Sequence, residues 1–244
     1  MGGLTALHLL EIWERGITQA PVARALSLLR AACTEMTAAQ LAALTIGQRD
    51  ARLLALREAL FGTDMEAITL CPACGQRMEL SLSTRELLTA NDTSAPQETA
   101  LTIRGYDLRL RAPSSQDLLT IAHETPSTAG REWILRRCLL SASERNAPVE
   151  FDLLPPEVVE TAVQKIAEID PLADIQMSIV CQSCRHVWKA TFDIVSFLWS
   201  EIDAWARRVL VEVHTLASAY GWCERDILEL SPSRRQIYLD MVGA

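Results

Sequence analysis

Apolar positions recur every three to four residues over most of this chain and alternate over only a few short stretches. That pattern predicts a mostly helical protein with small sheets. Residues 4–14 place Leu4, Leu9, Leu10 and Trp13 at helical spacing, and Gly16 closes the run. His8 and Trp13 are read as core or interface residues. A second helix is expected over 21–33, with Pro21 tolerated in its first turn. Thr37 caps a third over 38–44. A fourth spans about 48–61, with Leu53, Leu56 and Leu60 along one face and Gly62 as its stop.

The period then changes. Residues 66–82 read as strand, tight turn and strand, followed by a short helix capped by Ser83. Residues 91–97 read as a loop. Alternation at 99–104 and 107–111, around Gly105-Tyr106, predicts a β-hairpin whose polar side carries Arg104, Arg109 and Arg111, read as a solvated face. Helices are expected over 114–123 and 130–141, parted by a turn at 126–128, with His123 exposed in a turn. Ser114 and Asp117 have the spacing of a capping box. Residues 151–154 look extended, Pro155-Pro156 opens a helix ended by Pro171, and 176–180 is a strand.

From Asp193 to Tyr220 one long helix is expected, roughly 40 Å at 1.5 Å per residue. Ile194, Leu198, Ile202, Trp205, Val209, Val213, Leu216 and Tyr220 form one apolar stripe. Val195, Trp199, Ala206, Leu210 and Ala217 form a second beside it, with His214 packed nearby. So wide an apolar surface calls for cover from the chain's own core and from a partner, and Trp199 and Trp205 are the candidate docking residues. Trp188 and Trp222 are further candidates, with core packing the default reading for any one of these four. Two short helices, over 223–230 and 232–242, end the chain.

The chemistry lies in two distant turns, Cys71-Pro72-Ala73-Cys74-Gly75 and Cys181-Gln182-Ser183-Cys184. Each CxxC turn offers two soft thiolates, half of a tetrahedral zinc site. Their surroundings repeat at a shift of about 110 positions. Ile68-Thr69-Leu70 falls on Ser178-Ile179-Val180, Met78 on Trp188, Leu82 on Phe192, and Ser83 on Asp193. The helical run before each turn also corresponds, so each half reads helix, strand, knuckle, strand, helix. The expected fold is α+β, mostly helical: a split zinc ribbon of two CxxC knuckles from pseudo-repeated halves. Flanking helices, a β-hairpin insertion and the long C-terminal amphipathic helix complete it. The chain divides accordingly into an N-terminal helical region (1–64), a first ribbon half (65–90), inserted hairpin and helices (91–174), a second ribbon half (175–192) and a C-terminal helical region (193–244).

Composition narrows the function. The 244 residues are 49% hydrophobic and 22% charged, within the range of globular proteins. A net charge of −8 argues against binding to nucleic-acid phosphates, although Arg77, Arg185 and Lys189 lie near the knuckles. The opening residues do not resemble a signal peptide, and no uncharged apolar run reaches the roughly 18–20 residues of a membrane span. A reducing cytoplasmic setting is expected, in which the CxxC pairs among the seven cysteines point to metal or redox chemistry rather than structural disulfides. A thioredoxin-like CxxC opens a helix, whereas here each knuckle runs into an alternating stretch. One structural zinc held by Cys71, Cys74, Cys181 and Cys184 is the expected cofactor. His186 is an optional substitute ligand, and Cys33, Cys138 and Cys223 are small core residues. There is no glycine-rich phosphate loop, GxSxG or HExxH, and four scattered histidines make no catalytic constellation, so no enzyme is expected.

Residues 181–242, above all FDIVSFLWSEIDAWA and EVHTLASAYGW followed by ILELSPSRRQIYL, resemble the T-even phage baseplate hub assembly chaperone family. Residues 45–79, with FGTDMEAITLCPACG, are similar to its N-terminal half. Its relatives occur in phage tails and contractile injection systems. Both knuckles of that group tend to read CPxCG; here the second is CQSCR, with Arg185 in the glycine position. The resemblance implies a non-enzymatic role in assembling the central hub, as a transient chaperone or a retained component. It implies hub or spike proteins as partners, and a place in the producing cell's cytoplasm or in the baseplate itself.

Overall fold

The computed structural model describes residues 4–89, 98–124 and 130–243. The first four helices are α1 (Ala6–Gly16), α2 (Pro21–Ala32), α3 (Ala38–Ala43) and α4 (Ile46–Phe61). The first hairpin, β1 (Asp64–Leu70) and β2 (Arg77–Ser83), leads into α5 (Thr84–Thr89). An inserted sheet follows with β3 (Glu98–Ile103), β4 (Tyr106–Arg111), β5 (Leu139–Glu144) and β6 (Ala147–Pro148), interrupted after β4 by α6 (Ser115–Glu124) and α7 (Gly130–Cys138). Next come α8 (Pro156–Ile169), a second hairpin of β7 (Ile175–Val180) and β8 (Val187–Phe192), and α9 (Ile194–Tyr220), α10 (Glu224–Glu229) and α11 (Pro232–Val242). The architecture is a mixed helix-and-sheet one with helix predominant. The expectations for residues 91–97 and 126–128, and for the His123 side chain, lie outside the described residues.

Two compact units form, Met1–Glu35 with Val195–Ala244, and Met36–Ile194. The first and last helices therefore group together, while α3 and α4 belong with both hairpins.

In the central unit the helix starts are set by side-chain chemistry. Thr37 and Thr45 accept from the backbone N–H of Gln40 and Gln48, and each glutamine side chain returns a bond to the threonine N–H. Asp170, from the far side of the insertion, accepts from Thr45 Oγ1 (3.1 Å) and from the Gly47 N–H (2.9 Å), anchoring the start of α4. The inserted sheet is antiparallel in the order β3-β4-β5-β6, and Leu108, Leu110 and Ala142 from it pack with Leu154, Val158 and Ala162 near and on α8.

The insertion differs from its expected form in three ways. The helix expected over 130–141 ends at Cys138, and Leu139–Glu144 pairs instead with β4, turning a hairpin into a four-stranded sheet. The turn between β3 and β4 is Arg104-Gly105, since Tyr106 already pairs with Ile103. Residues 151–153 form a 3-10 turn rather than an extended segment.

In the terminal unit, α9 is 27 residues long and its first stripe is buried from Ile194 to Leu216, except for half-buried Trp205. In the second stripe Val195 and Ala206 are buried and Trp199, Leu210 and Ala217 half-buried. The Trp13 indole N–H donates to Asp203 (2.9 Å), tying α1 to α9. Arg24 closes the end of α1 by donating to the carbonyls of Gly16 (2.8 Å) and Ile17 (2.9 Å), and its guanidinium lies 4.6 Å from the Trp199 ring centre. Buried Arg235 on α11 donates to Glu212 (3.0 Å) and to the Leu230 carbonyl (2.9 Å), holding three elements at once. Tyr220, Trp222 and Tyr238 form an aromatic trio with centroids 4.7–5.8 Å apart. His214 and Cys223 are exposed, where packed and core positions were expected, and His8 is exposed, outside the core. Helical period places such residues on a face, but neighbouring elements decide which flank of that face is covered.

Candidate metal centre

The two hairpins carry one register. Met65 pairs with Leu82 and Leu70 with Arg77 in the first; Ile175 pairs with Phe192 and Val180 with Val187 in the second, at the same positions of the repeat. The knuckles match bond for bond. The Gly75 N–H donates to the Cys71 carbonyl at 2.8 Å and the Arg185 N–H to the Cys181 carbonyl at 2.9 Å. The Cys71 N–H donates to the Gln76 carbonyl and the Cys181 N–H to the His186 carbonyl, both at 2.9 Å. Gly75 and Arg185 share a left-handed backbone, with φ of 74° and 59°. The turn therefore survives the loss of its glycine, and Arg185 adopts a conformation that costs a side-chain-bearing residue on the order of 1 kcal/mol.

The four sulfurs converge. All lie within 4.8 Å of one another, with Cys71 and Cys184 Sγ 3.7 Å apart and Cys74 and Cys181 Sγ 3.6 Å apart. These separations are far beyond the roughly 2.05 Å of a disulfide. They agree with the edge of a metal–thiolate tetrahedron, about 3.8 Å when each metal–sulfur bond is about 2.3 Å. Cys71 and Cys181 are buried while Cys74 and Cys184 face solvent, so each knuckle gives one inner and one outer sulfur.

Electrostatics point the same way. The Gln76 N–H lowers the Cys74 thiol, but the Cys184 thiol first, then partial desolvation and the thiols of Cys181 and Cys71, outweigh it and push the group up to about 12. The Cys184 N–H draws Cys181 down to about 6, helped by the Ser183 N–H and opposed by burial. The His186 N–H stabilises the Cys184 thiolate, yet burial and the Cys181 and Cys71 thiols raise it on balance. Sulfurs this close hold protons against one another unless a cation neutralises them. The four cysteines are positioned to bind a metal ion.

His186 is not part of the cluster; it is exposed and stacks on Trp188, 6.0 Å between centroids. Cys33 and Cys138 are buried as expected, and burial pushes the Cys138 thiol up to about 11. Trp199 lies against α1, and Trp205 is half-buried.

A second polar centre was only partly visible in the sequence. The Ser114–Asp117 capping box forms, with the Ser114 N–H donating to Asp117 Oδ2 at 2.9 Å. Arg111 also donates to both Asp117 oxygens (2.7 and 2.9 Å), and Arg137 donates at 2.8 Å. Burial alone would raise Asp117, but the two arginines and Ser114 hold it well below the usual carboxylate range. Arg111 is thus a structural ion-pair residue rather than a solvated one, while Arg104 and Arg109 are exposed and pair with Glu157 and Glu98. No helix among the described residues is long and apolar enough to cross a membrane.

Fold and site together define a mixed helix-and-sheet protein whose two hairpins, far apart in sequence, present one four-thiol cluster. The family model described as T4 bacteriophage base plate protein matches residues 7–199, and the chain belongs to that family. The match includes both knuckles and ends within α9. The comparisons with curated proteins and with solved structures returned no match.

Proposed function

We propose that this chain is a non-enzymatic component of a phage tail or related contractile injection system, serving baseplate hub assembly as a chaperone or retained part. It acts by binding hub or spike proteins, with one structural zinc as a staple. The observation that carries this reading is the convergence of four thiols from both halves of the repeat, in a chain of the baseplate family. Cysteine sulfur is soft, and a site of four thiolates with no open position favours structural zinc over catalytic chemistry. The ion's role would be to lock two hairpins whose own two-stranded sheets are too small to be stable alone.

Trp199 and Trp205 are the proposed docking residues. Trp199 also packs against Gly16 and Arg24, so Trp205 gives the cleaner test. The experiment is a pull-down of purified hub and spike proteins by the tagged chain. The expected result is a stable complex that Trp205→Ala weakens roughly tenfold or more with zinc content unchanged. Failure of every hub and spike protein to bind the zinc-loaded wild type would overturn the assembly role.

A further inference from the structure

The two hairpins have a feature that the cysteines do not explain. Each forms a two-stranded sheet, so β2 and β7 each leave one backbone edge without a partner strand among the described residues. Both strands line one groove of about 1140 Å³, alongside the knuckle residues Gln182 and Ser183. Along it, half-buried Met78, Leu80 and Met177 and buried Ile179 alternate with exposed Glu79, Ser81 and Ser178. An open edge is a row of N–H and C=O groups that an added strand satisfies. The side chains of such a strand point alternately to the apolar lining and to water. Charge narrows the choice. Arg77 and Glu79 stand two residues apart on the exposed face of β2, and neither enters an ion pair among the described residues.

We propose that the groove between β2 and β7 takes an extended segment of a partner protein by strand addition. The segment alternates apolar and polar residues and sets an acidic residue against Arg77 and a basic one, two positions along, against Glu79. Main-chain bonds to the open edges hold it, the methionines adapt to its apolar side chains, and the charge pair sets its register. The inference rests on the baseplate reading only for the source of the segment, a hub or spike protein.

The test uses the full-length, zinc-loaded chain and a labelled synthetic peptide alternating valine with threonine, glutamate and lysine, followed by fluorescence anisotropy. Saturable binding is expected, weakened roughly tenfold or more when alternate peptide nitrogens are methylated. The double variant Ser81→Arg with Ser178→Arg should weaken it as much, at unchanged zinc content. Arg77→Glu should weaken binding, and a peptide carrying lysine in place of glutamate should restore it, which damage to the fold would not allow. Equal binding of the methylated peptide, or no saturable binding by zinc-loaded protein, overturns the groove and leaves the zinc staple standing. Binding that survives zinc removal supports the groove and overturns the staple instead. Dimerisation of the chain that the peptide competes away puts a second copy in the groove and overturns the assignment to a partner.

Discussion

Arg185 carries the clearest single-residue signature of the repeat. It occupies the left-handed position that Gly75 fills in the first knuckle, and makes the same turn bond to the first cysteine carbonyl. Arg185→Gly should therefore raise the stability of the metal-loaded protein by about 0.5–1 kcal/mol, the strain relieved less the entropy glycine adds to the unfolded chain. Chemical denaturation would show it, and a loss of stability would mean the arginine side chain has a role of its own. Asp117 is the residue whose importance the sequence concealed. The Ser114–Asp117 spacing gave away a helix cap, but alternation along β4 placed Arg111 in water, and nothing in the pattern linked Arg137 to either. The three meet only because α6 follows β4 directly and α7 returns alongside. Asp117 is almost fully buried, 1% exposed, so Asp117→Asn should cost roughly 2–4 kcal/mol by leaving two guanidinium groups without their carboxylate. Its carboxyl is held below the unfolded value. The stability it contributes is therefore complete above about pH 4 and is lost as pH falls below that. Denaturation midpoints of wild type and variant between neutral and acid pH should converge at the acid end. A constant difference would contradict the account.

Elements whose period and caps agree are legible in the amino-acid pattern itself. α4 shows this through its apolar face and its Gly62 stop, although the Thr45 cap starts it at Ile46 rather than at about 48, and the hairpins show it through a shared register that follows from overlaying the two knuckles. β5 is not legible in the same way. Residues 139–141 continue a helical pattern from α7 well enough, and what converts them and the residues to 144 to strand is pairing with β4, a partner about thirty residues earlier that local propensity cannot supply. The extent and stripe of the long helix follow from its period, but the exposure of His214 on its flank depends on cover that period does not reveal. At the contact of α1 with α9, Gly16 lets the Trp199 ring come close: a Cβ there would lie 2.1 Å from Cη2. Gly16→Ala should destabilise the protein by about 1–3 kcal/mol through overpacking. Thermal unfolding would measure it, and an unchanged midpoint would show that the ring shifts freely.

At the scale of the whole molecule, two chain segments more than a hundred residues apart fold into matched hairpins around four sulfurs, with a four-stranded sheet and helices α5 to α8 between them in the chain. The cysteine spacing and the repeat made this arrangement readable. The form of the intervening insertion and the grouping of the chain's two ends were not, because they depend on long-range packing without a motif. Membership of the baseplate family gives the setting, and the four thiols give the account its physical centre. The most direct measurement is the metal content of the freshly purified, reduced protein by elemental analysis, beside the Cys71→Ser and Cys181→Ser variants. One zinc per chain, lost in either variant together with cooperative unfolding, is the predicted result. Zinc-free wild type, or a variant of one knuckle that keeps its zinc, would contradict a single site shared between the two halves.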